Sequence, residues 1–242
     1  MVIVAGDYGL VRPPQLQTQH QSRRRRVWPV VLLGLVVLVV AGAVWLALFS
    51  GYLAVKKVDV DGVALVTTDD VRDAAAIPPG SPLVTLRQSD VEQRVTQAIP
   101  EVKSITLSRR WSGDVVIHVT ERVAVFKVAD GGLFDWVADD GTVFHVSPDA
   151  PPVLLADVAT DDSNLLADVA TVVLALPPDL TKQVKSLSAA SRDAITLQLD
   201  SNRQVVWGSA DQSILKAEVL QVLLKQPGHV YDVSAPTSPA VR

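Results

Sequence analysis

The stretch SRRWSGDVVIHVTERVAVFK, residues 108–127, decides the fold because it combines a strand, a turn and a change of pattern. From residue 115 to residue 119 every second side chain is β-branched, so one side of the run is apolar, as in a half-buried strand. Residues 102–109 form a second β-like run, and Gly113 supplies a turn between the two. The sequence therefore predicts two paired strands, 102–109 and 114–121.

The same stretch carries charges that resemble a functional site. Glu121 is a candidate general acid, but such an acid usually works with a second carboxylate or a base, and none is visible nearby. Arg109 and Arg110 are a candidate anion patch, but the chain after residue 26 has a net charge of −8, which gives nucleic acid little attraction. We therefore expect Glu121 to form a structural pair at a strand end, and the arginine stems to pack on Trp111.

Upstream of these strands the pattern changes between strand and helix. Residues 58–62 alternate valine with aspartate up to a glycine, which predicts a strand. Thr67 is the predicted N-cap of a first helix, and Ser-Asp-Val-Glu at 89–92 has the form of a capping box for a second. The order β-α-α-β-β predicts a small α/β module over residues 53–122.

Downstream of Arg122 the pattern is β-rich, with two helical interruptions. Both helical segments follow aspartate or serine residues that favour a helix N-terminus. Pro236 and Pro239 discourage regular pairing after the last strand. The sequence predicts a β domain over 123–236 and a tail over 237–242, with strands at 123–128, 133–138, 142–146, 184–187, 195–199, 204–207 and 229–234 and helices at 161–176 and 211–225.

The N-terminal part contains an uncharged apolar segment, residues 27–49. A helix needs about 20 residues to cross a hydrocarbon core of about 30 Å, so this segment is predicted to span a membrane once. The arginines at 23–26 favour a cytoplasmic N-terminus, with residues 1–26 as a cytoplasmic tail. A cleaved signal peptide ending near Ala-Gly-Ala at 41–43, or a twin-arginine signal, is the alternative; against cleavage, the apolar run continues beyond residue 43.

Residue types that carry chemistry are sparse. There is no cysteine, so the sequence offers neither a thiolate nucleophile nor a disulfide. No nucleophile motif or phosphate loop is present, and Asp59 to Gly62 lacks the further acids of a calcium loop. We predict no catalytic, cofactor or metal site and no small-molecule substrate. The histidines are scattered along the chain, at His20, His118, His145 and His229.

The order of these features resembles the FtsQ/DivIB family of bacterial cell-division proteins. The motifs that carry the resemblance are VDVDG at 58–62, the RRW and VVIHVTER motifs at 109–111 and 115–122, DDGTVF at 139–144 and YDVSAP at 231–236. Ser112 and Val123 stand where the family usually has proline. The resemblance implies an α+β fold: a single N-terminal transmembrane helix, a β-α-α-β-β POTRA (polypeptide-transport-associated) module and a β-rich domain with two helices.

The resemblance also implies a function. It predicts a non-enzymatic scaffold of the division complex, located at the septum, with its C-terminal part outside the cytoplasm. It implies that the protein binds FtsB- and FtsL-like subunits and so acts on the septal peptidoglycan synthase complex. An anchored cell-wall enzyme and a POTRA-type chaperone module are the alternatives. The implied partner-binding residues lie on the last strand and the helix before it: Lys216, Val219, Leu223, Val230, Tyr231, Asp232, Val233, Ser234 and Ala235.

Overall fold

The computed structural model describes residues 28–49, 54–110 and 112–242. The cytoplasmic tail predicted for residues 1–26 and the packing predicted for Trp111 lie outside the described residues. The chain divides into two units, residues 1–50 and residues 51–242. In the first unit, helix α1 (Trp28–Phe49) contains no charged residue. Its segment Trp28–Leu46 has a mean hydropathy of 2.7 and none of it is buried, so this helix is long and apolar enough to cross a membrane.

The N-terminal part of the second unit is the predicted β-α-α-β-β module. Its three-stranded sheet has the order β1-β3-β2, with β1 parallel and β2 antiparallel to β3. Two helices pack on this sheet and on each other, which confirms the predicted architecture. The elements are β1 (Lys57–Asp61), α2 (Thr68–Ala75), α3 (Gln88–Ala98), β2 (Val102–Arg109) and β3 (Asp114–Glu121).

Gly113 makes the turn between β2 and β3 possible for two reasons. Its φ is +95°, a conformation that L side chains rarely adopt. A Cβ at this position would also lie 2.7 Å from the carbonyl oxygen of Ala54, because residues 54–56 cross directly over the turn. Lys56 N–H donates to the Gly113 carbonyl at 2.8 Å and holds this crossing in place.

One predicted helix start is correct and the other is wrong. Thr67 caps α2 as expected, accepting the N–H of Asp70 at 3.2 Å. The capping box predicted at residues 89–92 does not form, because α3 begins at Gln88 and has no side-chain cap. Its fourth residue, Glu92, instead accepts the backbone N–H of Ile105 in β2 at 3.4 Å. The side chain that would close the box is therefore used by the neighbouring sheet.

The C-terminal part of the second unit is a nine-stranded mixed sheet, in the order β12-β11-β10-β9-β8-β7-β4-β5-β6. Seven of its strands form two antiparallel meanders, β4–β6 and β8–β10, joined by β7 in parallel with both, and β11 and β12 extend the sheet beyond β10. Its strands are β4 (Phe126–Asp130), β5 (Leu133–Val137), β6 (Val143–Ser147), β7 (Leu154–Val158), β8 (Val184–Ala189), β9 (Ile195–Leu199), β10 (Gln204–Gly208), β11 (Val230–Asp232) and β12 (Ala240–Val241).

Three helices accompany this sheet. Asp162 caps α4 (Ser163–Ala175) by accepting the N–H groups of Asn164 and Leu165, and the apolar face of this helix is buried in the core of the sheet. The short α5 (Pro178–Thr181) follows, and α6 (Ser213–Leu223) connects β10 to β11. The largest fully buried side chains of this core are Trp207, Tyr231 and Phe126. Two strands, β7 and β12, are absent from the sequence prediction.

Candidate partner-binding edge

Glu121 has a structural environment rather than a catalytic one. Its carboxylate accepts the backbone N–H groups of Ala64, Leu65 and Val66, with the shortest distance 2.8 Å to Ala64. These donors belong to the loop between β1 and α2. Because one side chain accepts three consecutive backbone donors, these hydrogen bonds fix the position of the loop. The structure thus shows Glu121 joining the end of β3 to the start of the first helix.

Arg122 connects the three-stranded module to the nine-stranded sheet. Its guanidinium donates to the carboxylate of Asp140 at 2.5 Å and to the carbonyl of Pro100 at 3.1 Å. Burial alone would raise the pKa of Asp140, but hydrogen bonds from Arg122 and Thr142 outweigh burial and hold that pKa below its usual range. The Asp140 carboxylate is therefore kept ionised as the anchor of this contact.

Two further pairs cross the same junction. Lys103 of β2 lies 2.6 Å from the carboxylate of Asp139, and Glu101 lies 3.2 Å from Nδ1 of His145 in β6. The DDGTVF motif and the histidine after it thus contact the small module at three points, counting Arg122. The β6 end of the nine-stranded sheet is therefore occupied by contacts with the three-stranded module.

The candidate anion patch of Arg109 and Arg110 is engaged in part within the module. Arg109 donates from its guanidinium to the carbonyl of Leu86 at 2.5 Å, so one of its donors is used within the module.

A cleft beside β4 and β8 is lined by aliphatic side chains and by Lys127, Lys182 and Lys185, and no acid lines it. In residues 28–49, 54–110 and 112–242, no group of three His, Asp or Glu side chains is arranged to hold a metal ion.

Both edges of the three-stranded sheet are covered by side chains of the module. On β2, the amide of Gln88 donates to the carbonyl of Ile105 at 3.2 Å and accepts the N–H of Leu107 at 3.3 Å, as a neighbouring strand would. On β1, Arg72 donates to the carbonyl of Val58 at 3.3 Å. A partner strand would have to displace these side chains before it paired with either edge.

The last strand before the C-terminal tail lies one position inside the edge of the large sheet. β11 is parallel to β10 on one side and antiparallel to the two-residue β12 on the other. The sequence placed a strand at 229–234, whereas the regular strand is Val230–Asp232. β12 belongs to the segment that the sequence predicted to be an unpaired tail, and it covers the edge that a partner was expected to use.

The backbone groups of β11 and its flanking residues point alternately to β10 and to the outer edge. The His229 carbonyl accepts from Gln204 N–H at 2.7 Å, and Val233 N–H donates to the Val206 carbonyl at 2.9 Å, so these two groups face β10, whereas the His229 N–H donates to the Arg242 carbonyl at 2.8 Å. Val230 exchanges two 2.9 Å bonds with Arg242 and faces the other way. Because the direction alternates along a strand, Val230 and Asp232 are the residues whose backbone groups point to the outer edge.

The predicted site residues are divided between core and surface. Four are buried and support the edge from within: Lys216, Leu223, Tyr231 and Val233. Ser234 and Ala235 are exposed, whereas Val219, Val230 and Asp232 are half-buried. Tyr231 donates its hydroxyl to the carbonyls of Gln226 and Gly228 at 2.9 and 3.1 Å, which fixes the loop before β11.

Lys216 belongs to the buried face of α6 and is 2% exposed. Its ammonium group donates to the carbonyls of Trp207 and Ser209 at 3.0 and 2.8 Å, which ties α6 to the end of β10. Burial lowers the pKa of Lys216, and the charge of Asp211 opposes this shift only in part. This lysine therefore positions the helix next to the edge and does not present its charge to a partner.

A group of exposed apolar side chains on α4 and α6 was missed by the sequence reasoning. Leu174 is 61% exposed, Ile214 73% and Val222 60%, and Leu215 is also exposed. The signal was present, because these residues lie outside the stripe that each helix buries.

Two family descriptions match the sequence. Residues 53–122 match "POTRA domain, FtsQ-type", and residues 127–234 match "Cell division protein FtsQ/DivIB, C-terminal". The first match falls on the three-stranded module and the second on the nine-stranded sheet as far as residue 234. Each part of the second unit thus has its own match.

Similar full-length proteins carry the name "Cell division protein FtsQ". One from Streptomyces collinus is 34% identical over 94% of this chain and 92% of its own length. Another, from Streptomyces venezuelae, is 36% identical over 85% of this chain and 80% of its own length. Among solved structures, the extracytoplasmic domain of DivIB from Geobacillus stearothermophilus matches 41% of this chain and 87% of that domain, with a TM-score of 0.34 and 15% identity. That structural likeness is too low to carry an argument.

Proposed function

Because this chain belongs to the FtsQ/DivIB family of cell-division proteins, we propose that it is a non-enzymatic, single-pass membrane scaffold of the division complex. In this proposal, residues 1–26 are cytoplasmic, α1 crosses the membrane, and residues 53–122 and 123–236 form the POTRA and β domains outside the cytoplasm. The scaffold links FtsB- and FtsL-type subunits and so regulates septal peptidoglycan synthesis.

The observation that supports this proposal most directly is the outer edge of β11. A partner strand can bind there by adding to the sheet through main-chain hydrogen bonds, a recognition mode that needs no catalytic group. The edges of the three-stranded sheet are covered by Gln88, Glu92 and Arg72, and His145 of β6 contacts the module. The β11 edge is instead paired with the two-residue strand β12, so its geometry accepts an added antiparallel strand.

The neighbouring residues support the same location. Lys216 and Tyr231 fix α6 and the loop before β11 from within the core, so the strand is held rigidly. Rigid presentation of an edge lowers the entropy that a partner must lose on binding. We infer that the buried members of the predicted site act by positioning, and that Val230 and Asp232 make the main-chain contacts.

The proposal is tested by binding and by localisation. The full chain, purified in detergent, is titrated with the FtsB-type subunit of the same organism in a calorimeter, and we expect saturable binding. In dividing cells, the chain with a fluorescent protein fused to its N-terminus is expected to concentrate at the septum. Uniform membrane fluorescence together with no measurable binding would refute the proposal. Cell-wall hydrolysis by the purified chain would instead favour the anchored-enzyme alternative.

A further inference from the structure

The nine-stranded sheet opens into a cleft between β7 and β8, at the end where both of these parallel strands begin. We propose that this cleft binds an extended, acidic segment of a partner protein, with an apolar side chain of that segment inserted between the two strands. β9 and β10 separate β8 from β11, so this site is distinct from the β11 edge and goes beyond the proposed function.

The cleft exists because β7 and β8 pair over only part of their lengths. Their registered pairs begin at Ala156 with Leu187, although β7 starts two residues earlier and β8 three residues earlier. Pro152, which precedes β7, has no N–H and cannot extend this pairing. β8 also shifts register against β9 between Val184 and Ser186, and a bulge of this kind bends a strand. β7 stays paired with β4 from its first residue, so β8 is the strand that diverges.

Most of the side chains that line the cleft are apolar. Its volume is about 860 Å³, which lies within the range of about 300–1,000 Å³ that is usual for ligand sites. β7 contributes Leu154 and Leu155, β8 contributes Val184, and α4 contributes Val173 and Leu176. A large apolar side chain of a partner would therefore be removed from water in this cleft, which favours binding.

Three lysines give the cleft a positive charge. They are Lys127 of β4, Lys182 at the end of α5 and Lys185 of β8, and the described residues that line the cleft include no aspartate or glutamate. Lys127 donates to the carbonyl of Pro151 at 2.8 Å and lies 5.6 Å from the centre of the Phe134 ring, so its position is fixed. The chain after residue 26 has a net charge of −8, so a cleft lined only by basic charges is an exception in an acidic chain.

Two of these lysines can turn toward a ligand at little cost. The carboxylates that pair with Lys182 and Lys185 belong to Asp179 and Asp200 and lie 3.7 and 3.8 Å from the ammonium groups, too far for direct hydrogen bonds. Both lysine side chains are largely exposed, and exposed ion pairs contribute little to stability. Because the three lysines come from three elements that border the cleft, several carboxylates along an extended segment match them, with one apolar residue between the acidic ones.

The binding test uses the full chain in nanodiscs of uncharged phosphatidylcholine. The probe is a short fluorescent peptide in which leucine alternates with glutamate, and its binding is followed by fluorescence anisotropy. We expect saturable binding that weakens at least about tenfold when glutamine replaces glutamate, or when serine replaces leucine. No saturable binding, or equal affinities of the three peptides, would overturn the inference.

Charge reversal in the chain tests whether the peptide occupies the cleft. Lys185→Glu should weaken binding of the glutamate peptide at least about fivefold, because it replaces an attraction with a repulsion. The matched control is Lys225→Glu, an equally exposed lysine that does not line the cleft, and it should change affinity by no more than about twofold. Equal effects of the two substitutions would show that the peptide responds only to net charge, which would overturn the site.

Lysine acetylation by a water-soluble reagent, read by mass spectrometry, identifies the occupant. In phosphatidylcholine discs the peptide should protect Lys182 and Lys185 from acetylation and leave Lys225 unprotected, and equal protection of all three would contradict binding in the cleft. An anionic lipid is the alternative occupant, since its phosphate also pairs with lysine. Protection of Lys182 and Lys185 without peptide, in discs of phosphatidylglycerol but not of phosphatidylcholine, would overturn the assignment to a protein segment.

Discussion

Replacing Asp232 by proline tests whether a partner strand pairs with the outer edge of β11. Asp232 faces that edge, whereas His229 and Val233 make the bonds to β10. Proline removes the N–H at position 232 and places its ring on the side where a partner strand would lie. The substitution should therefore block docking without breaking the pairing that holds β11 in the sheet.

The expected loss of affinity follows from the number of bonds. Val230 and Asp232 are the two residues of β11 that point outward, and the His229 N–H before the strand also faces this side, so the variant loses one of three edge donors. A net hydrogen bond contributes about 0.5–1.5 kcal/mol, and 1.4 kcal/mol is tenfold in affinity, so the lost bond alone weakens binding about 2- to 13-fold. The ring also obstructs the partner, so we expect a total loss of at least about tenfold.

The assay is calorimetric titration of the FtsB-type subunit into the full chain in detergent. Both variants are made in a chain that ends at Ala235, so that β12 does not contribute to the comparison. The matched control is Asp232→Ala, which loses the carboxylate bonds to Ser234 at 3.1 and 2.7 Å but keeps the edge N–H. Surface substitutions usually change the free energy by up to about 0.5 kcal/mol, so Asp232→Ala should change affinity by no more than about twofold.

Equal affinities of the proline and alanine variants would refute the edge-pairing mechanism. Proline at the next position, Val233, would give no such answer, although the sequence alone makes it look equivalent. Val233 is fully buried and donates its N–H to Val206 in β10. A proline there would remove a bond within the sheet and disturb the core, so lost binding would not identify the edge.

Three further predictions concern the residues that shape the site. Glu121→Gln should speed hydrogen exchange of the Leu65 amide at least about fivefold. Hydrogen bonds to a charged group contribute about 1.5–3 kcal/mol, and the neutral glutamine amide retains only part of this. Unchanged exchange would contradict the role of Glu121 in fixing the loop. Arg122→Ala should move the pKa of Asp140 upward in a carboxyl NMR titration, and an unmoved midpoint would show that the ion pair does not set it. Burial lowers the pKa of Lys216, so between this lowered pKa and the ordinary lysine value the unfolded state binds more protons than the folded state. The free energy of unfolding, measured with urea at about pH 8 and about pH 10, should therefore increase with pH relative to that of Lys216→Met. The same pH dependence in both proteins would contradict this prediction.

The elements that the sequence predicted well are those in which apolar residues recur at a regular spacing. Strands 102–109 and 114–121 have the predicted bounds, because apolar alternation and a glycine turn are properties of neighbouring residues. The bounds of 195–199 are also as predicted, for the same reason. The partners of Glu121 could not be predicted, since they lie about 55 residues away in a loop without a periodic signal.

Two strands were missed because non-local pairing determines them. β7 alternates in burial, but it follows Pro151-Pro152 and lies between two parallel partners that are distant in sequence. β12 has two residues, too few for any period to be visible, and comes directly after Pro239. The sequence therefore indicated a candidate site on the last strand and the helix before it, while β12, which covers the outer edge of β11, could be seen only once β11 had its neighbours.

The position of β7 has a consequence for the kinetics of folding. The meanders β4–β6 and β8–β10 each form from strands that are adjacent in sequence, which favours rapid formation. β7 pairs in parallel with both, so the nine-stranded sheet becomes continuous only when two preformed halves close on one strand. Because such non-local pairing must lose loop entropy before it gains contacts, closure around β7 is expected to be the slow step of folding. Until closure occurs, β4 and β8 expose unpaired edges, and this interval is when the chain is most susceptible to aggregation.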